Sequence, residues 1–486
     1  MRPNSPIVLR AELAEWVEPA AAFAALHGDS AHAFWLDCGP DAVAGISYMG
    51  APLPGSRVVT ASVPTDTVKV RRADAGGHPE VVPGTIFDFL RSALPATERQ
   101  AIPAGEPARF ELGWVGWLGY ELGAQTVGTP THASPTPDAA LLEIDRALAF
   151  DHAARTVTLL LRGEAADDAN ANADDANSAA LLQWRSEIER ALAAAAPTPG
   201  PAPSEAAAPA ARWRHGPERY AQLIADCQAA IHRGDAYQLC LTNEISVDAH
   251  PDPLAAYLAL RASSPTHHGG LLRFGEISLL SASPEQFLAV TAGGHVTTKP
   301  IKGTRKRASG LARDLELRAE LESSEKERAE NLMIVDLMRN DIGKIARLGS
   351  VGVSKLLIVE SYAHVHQLVS TIEAELADGL SGIDAVEASF PAGSMTGAPK
   401  ISAMRILDGL EAGPRGIYSG AFGYLGLDGA VDLAMVIRSI VLDAAGARIG
   451  TGGGITALSV AAEEIEETQI KARALLAVLG VATRAG

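Results

Sequence analysis

The chain has 486 residues and a net charge of −17, from 41 Lys and Arg against 58 Asp and Glu. It is too long for one simple core, and it lacks the overall basic character of a general nucleic-acid or anionic-membrane binder. Hydrophobic residues make up 47% and aromatic ones only 5%, so a large core filled mainly by Ala, Leu, Val and Ile is expected and wholesale disorder is excluded.

The opening MRPNSPIVLR runs straight into the acidic, amphipathic AELAEWVE, without the regions of a signal peptide. The longest apolar run near the end, ALLAVLGVAT, is too short for a bilayer core of ~30 Å. Cys38, Cys227 and Cys240 show neither metal-type spacing nor a disulfide framework. Together these features predict a soluble cytoplasmic protein with small buried cysteines.

Strand-like pieces in the first third end in FELGWVGWLGYELG, where Gly113, Gly116 and Gly119 alternate with bulky residues, as when backbones approach closely. The acidic segment Glu164–Asn177 reads as a solvated loop. A short amphipathic helix with Leu181, Leu182, Ile188 and Leu192 on one stripe is expected next, followed by the proline-rich strap PTPGPAPSEAAAPAA. These segments suggest an N-terminal region over 1–164, a linker over 165–212 and a larger domain over 213–486.

In that domain, Tyr220, Leu223, Ile224, Cys227 and Ile231 fall at helical spacing between Pro217 and a stop at Gly234. YQLCLTNEISV alternates with period two, Tyr237, Leu239, Leu241, Ile245 and Val247 on one face and Gln238, Thr242 and Glu244 on the other. Strands are expected at ISLLSAS, QFLAVT and HVTTK, and one helical stretch from Arg313 to about Ile345. A hairpin turning at Asp428–Gly429, a TGGGI run and a helix from about Glu463 to Leu479 complete the chain. Hairpins outnumber strand–helix–strand units, so the fold class is α+β with antiparallel sheets.

Several motifs admit both a chemical and a structural reading. PAGSMTGAPK is no nucleotide-binding loop, because Gly393 and Gly397 stand too close and Ile401 follows Lys400. It is either a tight loop or a turn offering Ser394 and backbone N–H groups to an anion, with Pro399 at the first helical position. KPIKGTRKR packs five basic residues into nine positions. It is either a solvated loop or a strand exit that aims Lys302 into a cleft, where neighbouring cations favour a nucleophilic amine.

Glu327 with Glu330, and Glu464 with Glu467, each share one helical face, and Lys471 continues the second. Singly they are solvent-facing stripes; converging, they would give the oxygen ligands that Mg²⁺ takes. Glu285, beside Pro284 after a strand, is either an exposed turn residue or a desolvated general acid. His366 alternates with apolar residues, as structural histidines do. Arg438, within LAMVIRSIV, reads as a mid-strand arginine awaiting a carboxylate partner.

Ten blocks in order, GDAYQLCLT, SASPEQF, KPIKGTRKR, EKERAENLMIVDLMRND, VHQLVS, FPAGSMTGAPK, RGIYSGAFGYLG, VIRS, GGGI and EEIEETQIKA, resemble the chorismate-utilising enzymes over nearly all of 213–486. WLDCG, SYMG and FELGWVGWLGYELG resemble them more loosely. The family includes anthranilate, aminodeoxychorismate, isochorismate and salicylate synthases, and it implies antiparallel sheets in a sandwich-like core with helices outside. Water-adding members carry a lysine where Gln238 stands, so the resemblance implies an ammonia user. Pro300-Ile301-Lys302-Gly303-Thr304 is similar to the aminodeoxychorismate synthase pattern, whereas anthranilate synthases, the nearest alternative, place alanine at the Lys302 position.

The resemblance implies that Lys302 adds to chorismate at C2 while Glu285 protonates the departing 4-hydroxyl, and that ammonia then attacks C4 and releases the lysine from C2. It also implies Mg²⁺ on Glu327, Glu330, Glu464 and Glu467. Gln238, Gly303, Thr304, Tyr418, Arg438, Gly452, Gly453, Gly454 and Lys471 would bind substrate, and His366 and Ser394 occupy family active-site positions. No glutaminase motif is found, so a separate glutamine amidotransferase would supply the ammonia, and a lyase would complete p-aminobenzoate for folate. Cys38 stands where tryptophan-holding members have serine. An inactive ligand-binding homologue, the remaining alternative, would have lost the acid pairs or Lys302, and all are present.

Overall fold

The computed structural model describes residues 7–74, 77–94, 99–102, 105–165, 173–194, 209–362 and 364–482. Two antiparallel sheets, each of twelve strands, form the body. Phe34, Leu272 and Phe274 from one sheet and Trp117, Phe422 and Tyr424 from the other belong to a single buried cluster between them, with the Trp117 and Phe274 rings 4.4 Å apart. Helices cover the outer faces. Pro19–His27, Pro253–Ser263 and Ala461–Val478 lie over the first sheet, and Ile86–Ala93, Glu325–Gly343 and Gly382–Ser389 over the second. The expected sandwich with helices outside is found.

N-terminal strands are woven into both sheets. His32–Asp37 pairs with His268–Phe274, and Gly113–Leu118 with Ala421–Gly426. The alternating glycines serve the close approach their spacing predicted: a Cβ on Gly116 would lie 1.9 Å from the Ala140 carbonyl oxygen.

The sequence expectations need correcting at several points. The strap at 195–208 and acidic residues 166–172 lie outside the described residues. Where the acidic segment is described again, a helix already begins, at Ala173, and runs to Ala193. Its inner stripe is Leu181, Trp184, Ile188 and Leu192, while Leu182 is exposed, because a spacing of three or four residues selects 184 and excludes 182. The stretch from Arg313 is two helices, Leu311–Ser323 and Glu325–Gly343, divided at Ser324, whose hydroxyl caps the second by accepting the Glu327 N–H. The strand Gln238–Val247 is buried on both faces as far as Asn243, and Tyr237 lies outside it, exposed.

Candidate active site

Lys302 owes its direction to a defect in pairing. Its strand, Ile301–Lys306, runs against Val365–Glu375 with Ile301 opposite Val369 but Thr304 opposite Gln367. Three steps therefore face two, which makes a β-bulge at Lys302–Gly303. Gly303 has φ +82°, and a Cβ there would lie 2.8 Å from the Glu327 carboxyl carbon, so glycine is needed both for the turn and for the approach of the helix. Lys302 enters a cavity of about 540 Å³ that is also lined by Glu285, Ser394, Tyr418 and Arg438.

Glu285 sits between the strands Ile277–Ser283 and Gln286–Val290. Burial pushes its carboxyl up to about 7, against the charge of Lys302 and hydrogen bonds from the Ser394 hydroxyl and the Ile301 N–H. An acid in that range can give up a proton near neutrality. Ser394, in the short turn Gly393–Met395, thus acts on Glu285 rather than standing alone as an anion donor. Pro399 is the residue before the helix Lys400–Glu411, and Lys400 is turned inward to Asp341 and to the carbonyls of Ser389 and Pro391.

The arginines that follow Lys302 in sequence are paired with carboxylates. Arg305 bonds Glu320 at 3.0 Å, and Arg307 is held by Asp314 at 2.8 Å. The groups that feel the Lys302 charge are the carboxyls of Glu285, Glu330 and Glu467 and the Cys240 thiol. The charged neighbours of Lys302 in the cavity therefore include the carboxyls of Glu285, Glu330 and Glu467 as well as the cations of its own run.

Both acid pairs reach this cavity from different helices, Glu327 and Glu330 from Glu325–Gly343 and Glu464 and Glu467 from Ala461–Val478. Burial raises Glu330 and Glu464, and the neighbouring carboxylates Glu327 and Glu467 add to it. Burial would raise Glu467 also, but Lys471, bonded to it at 2.6 Å, holds it below the usual value. Four carboxylates lining one cavity suit a divalent cation in kind and number. As they stand, no three His, Cys, Asp or Glu side chains among the described residues come close enough together to hold a metal, and Lys326 and Lys471 lie among them.

The glycine run belongs to the strand Gly446–Ile455, where Gly452, Gly453 and Gly454 face Thr242, Leu241 and Cys240. Lys471 ties its helix to this strand through the Gly452 carbonyl at 2.7 Å. A Cβ on Gly453 would meet the Glu464 carboxylate at 3.1 Å, and one on Gly454 would meet the Gln238 amide at 2.3 Å. Gln238 therefore lies immediately behind the cavity wall, buried, with neither polar atom of its amide hydrogen-bonded. Thr304 lines the cavity rim.

Arg438 is not mid-strand. It lies between Val431–Met435 and Ser439–Asp443 with φ +51°, and this turn places it on the cavity wall, where it stays exposed. Burial lowers its pKa, with Tyr418 and Glu467 acting the other way. His366 is not brought to the cavity. Side chains alternate along a strand, so Gln367 lines the cavity and His366 points away, bonding Ser361 at 2.8 Å and Asp314 at 3.1 Å.

Two further residues support the site without having been singled out in the sequence. Arg415 is buried in a two-pronged bond to Glu411 at 2.7 and 2.8 Å. It also donates to the carbonyls of Met395 and Cys240 at 2.6 and 2.9 Å, joining the Ser394 turn to the Gln238 strand. Gly450 lies under Tyr418, where a Cβ would come within 2.0 Å of the ring. The only hint of that role was its place beside the glycine run.

The sequence model described as chorismate binding enzyme matches residues 58–477, and the chain belongs to this family. It is 43% identical over 466 residues to an aminodeoxychorismate synthase of Streptomyces pristinaespiralis, covering 94% of this chain and 63% of that protein. With the aminodeoxychorismate synthase of Streptomyces griseus it shares 45% over 464 residues, covering 95% and 62%. The chain thus spans a little over three fifths of the length of these two relatives. Anthranilate synthase component 1 of Streptomyces coelicolor is 36% identical over 473 residues, covering 95% of this chain and 86% of that one. The solved anthranilate synthase component I of Streptococcus pneumoniae superposes with a TM-score of 0.73 at 27% identity, covering 96% and 99%.

Proposed function

We propose that the protein aminates chorismate to 4-amino-4-deoxychorismate through a covalent bond to Lys302. The observation that carries this reading is the bulge that turns Lys302 into the cavity, facing an acid that titrates at about 7. The higher identity to relatives named aminodeoxychorismate synthase than to one named anthranilate synthase supports it.

The Lys302 amine forms a bond to C2 of the ring, the ring double bonds shift, and the C4–oxygen bond breaks as Glu285 gives its proton to the departing hydroxyl, which leaves as water. Ammonia then bonds to C4, the double bonds shift back and the C2–nitrogen bond breaks. Lys302 returns to the amine, and the spare proton on the new C4 nitrogen goes back to Glu285. Arg438 and Tyr418 orient the carboxylates, and Ser394 with the Ile301 N–H steers Glu285. Glu327, Glu330, Glu464 and Glu467 would hold Mg²⁺, whose charge favours the substrate's ring carboxylate.

Ammonia is mostly protonated at neutral pH, and we place its source in a glutamine amidotransferase on a separate chain. A lyase acting on the product would complete p-aminobenzoate for folate. Among the described residues no helix is long and apolar enough to cross a membrane, and all three cysteines are unpaired, which supports a cytoplasmic setting. The residues proposed to act on substrate run from Gln238 to Lys471, which supports 213–486 as the catalytic part, its two sheets completed by strands from 1–164.

Purified protein given chorismate, Mg²⁺ and ammonium is expected to form 4-amino-4-deoxychorismate, converted to p-aminobenzoate when a lyase is added. Fluorescent anthranilate as the main product would overturn the reading in favour of anthranilate synthase.

A further inference from the structure

Arg305, 3.6 Å from Glu327, and three lysines line the cavity with the carboxylates of the cradle, and the lysines are not equivalent. Lys471 is committed twice, to Glu467 at 2.6 Å and to the Gly452 carbonyl at 2.7 Å. Lys302 belongs to the reacting centre. Lys326 has neither tie. It precedes Glu327 in the first turn of its helix and lines the cavity. Its Nζ lies 3.8 Å from Glu464 Oε1 on the opposite helix, beyond hydrogen-bond distance, and 56% of its side chain remains exposed. Glu330 and Glu467 feel its charge as well. Among the described residues it makes no hydrogen bond that would be lost on moving.

We propose that Lys326 is the internal counter-ion of the glutamate cradle: it bridges the two acid pairs until a divalent cation displaces it into solvent, and so it weakens the binding of that cation. A lysine brings one positive charge to a cluster that a divalent ion would serve with two, and the two cations repel if both remain. The long flexible stem lets the amine swing outward without moving the helix. The proposal rests on the magnesium reading of the cradle.

The test is calorimetric titration with MgCl₂ alone, in the absence of chorismate and ammonia. Lys326→Met is expected to bind Mg²⁺ about tenfold more tightly than the parent protein, a coupling of ordinary size between two competing sites, and Lys326→Arg to stay close to the parent. Without metal, Lys326→Met should melt at a lower temperature and recover more on adding Mg²⁺. A Glu464→Gln, Glu467→Gln double variant is expected to lose the binding. If the double variant loses it but Lys326→Met binds no more tightly than the parent, the counter-ion role is overturned and the cradle stands. If the parent takes up no Mg²⁺, or the double variant titrates like the parent, the cradle falls and the proposal with it.

Discussion

Glu285 and Lys302 face one another across the cavity, yet the buried acid still titrates at about 7, because burial outweighs the pull of the lysine. The folded-state value lies above the ordinary 4.5, so the unfolded chain releases this proton first. The contribution of Glu285 to stability is therefore complete below about pH 4.5 and falls as pH rises to about 7, by at most about 3 kcal/mol. Glu285→Gln should lack this loss. Urea unfolding of both proteins at about pH 5 and pH 8 is expected to show the variant gaining relative to the parent as pH rises; a gap that does not change with pH would remove the assignment. The same variant should be nearly inactive in amination.

Lys302→Ala should reduce amination by roughly a thousandfold or more, the scale on which covalent nucleophiles act, while the fold is retained. Mass spectrometry of the parent protein held with chorismate and no ammonia should show an adduct on Lys302. Full activity of Lys302→Ala would exclude the covalent route.

Gly450 is set by the Tyr418 ring above it. Gly450→Val should push the ring out of place, raising KM for chorismate and destabilising the fold by about 1–3 kcal/mol, the usual cost of overpacking. Steady-state kinetics with a denaturation curve checks both, and an unchanged KM would free Tyr418 from substrate binding.

Glu411→Ala would leave the Arg415 guanidinium buried without a carboxylate, held only by the Met395 and Cys240 carbonyls, the Ser419 hydroxyl at 3.5 Å and the Tyr120 ring. A loss of about 3–5 kcal/mol is expected, as for other broken buried pairs, measured by chemical denaturation. A loss below about 1 kcal/mol would mean that the pair contributes little to holding the Ser394 turn.

The sequence was most legible where chemistry and local pattern coincide. The Pro217–His232 helix carries its own start and stop, and the acid pairs show their shared face by spacing alone. Lys302 was visible as a residue in a basic run, but its direction depends on a bulge defined by a partner strand more than sixty residues away. Arg438 was misplaced because LAMVIRSIV reads as one apolar run, whereas the chain leaves one sheet and enters the other between Met435 and Ser439. His366 and Gln367 differ only in which side of a strand they take, and periodicity does not say which side faces a cavity. Arg415 opens a recognisable block, but its role was not legible, since Glu411, Met395 and Cys240 lie in three separate segments.

The weaving of early strands into both sheets bears on how the protein is made. His32–Asp37 has no neighbour on its outer side until His268–Phe274 is synthesised, and Gly113–Leu118 waits for Ala421–Gly426. A nascent chain therefore presents unpaired strand edges for hundreds of residues of translation, and such edges invite wrong partners. Slow folding, dominated by contacts distant in sequence, and a need for chaperone shelter during synthesis follow from the same pairing that closes the two sheets. Truncation before residue 426 should yield aggregates rather than a smaller folded protein.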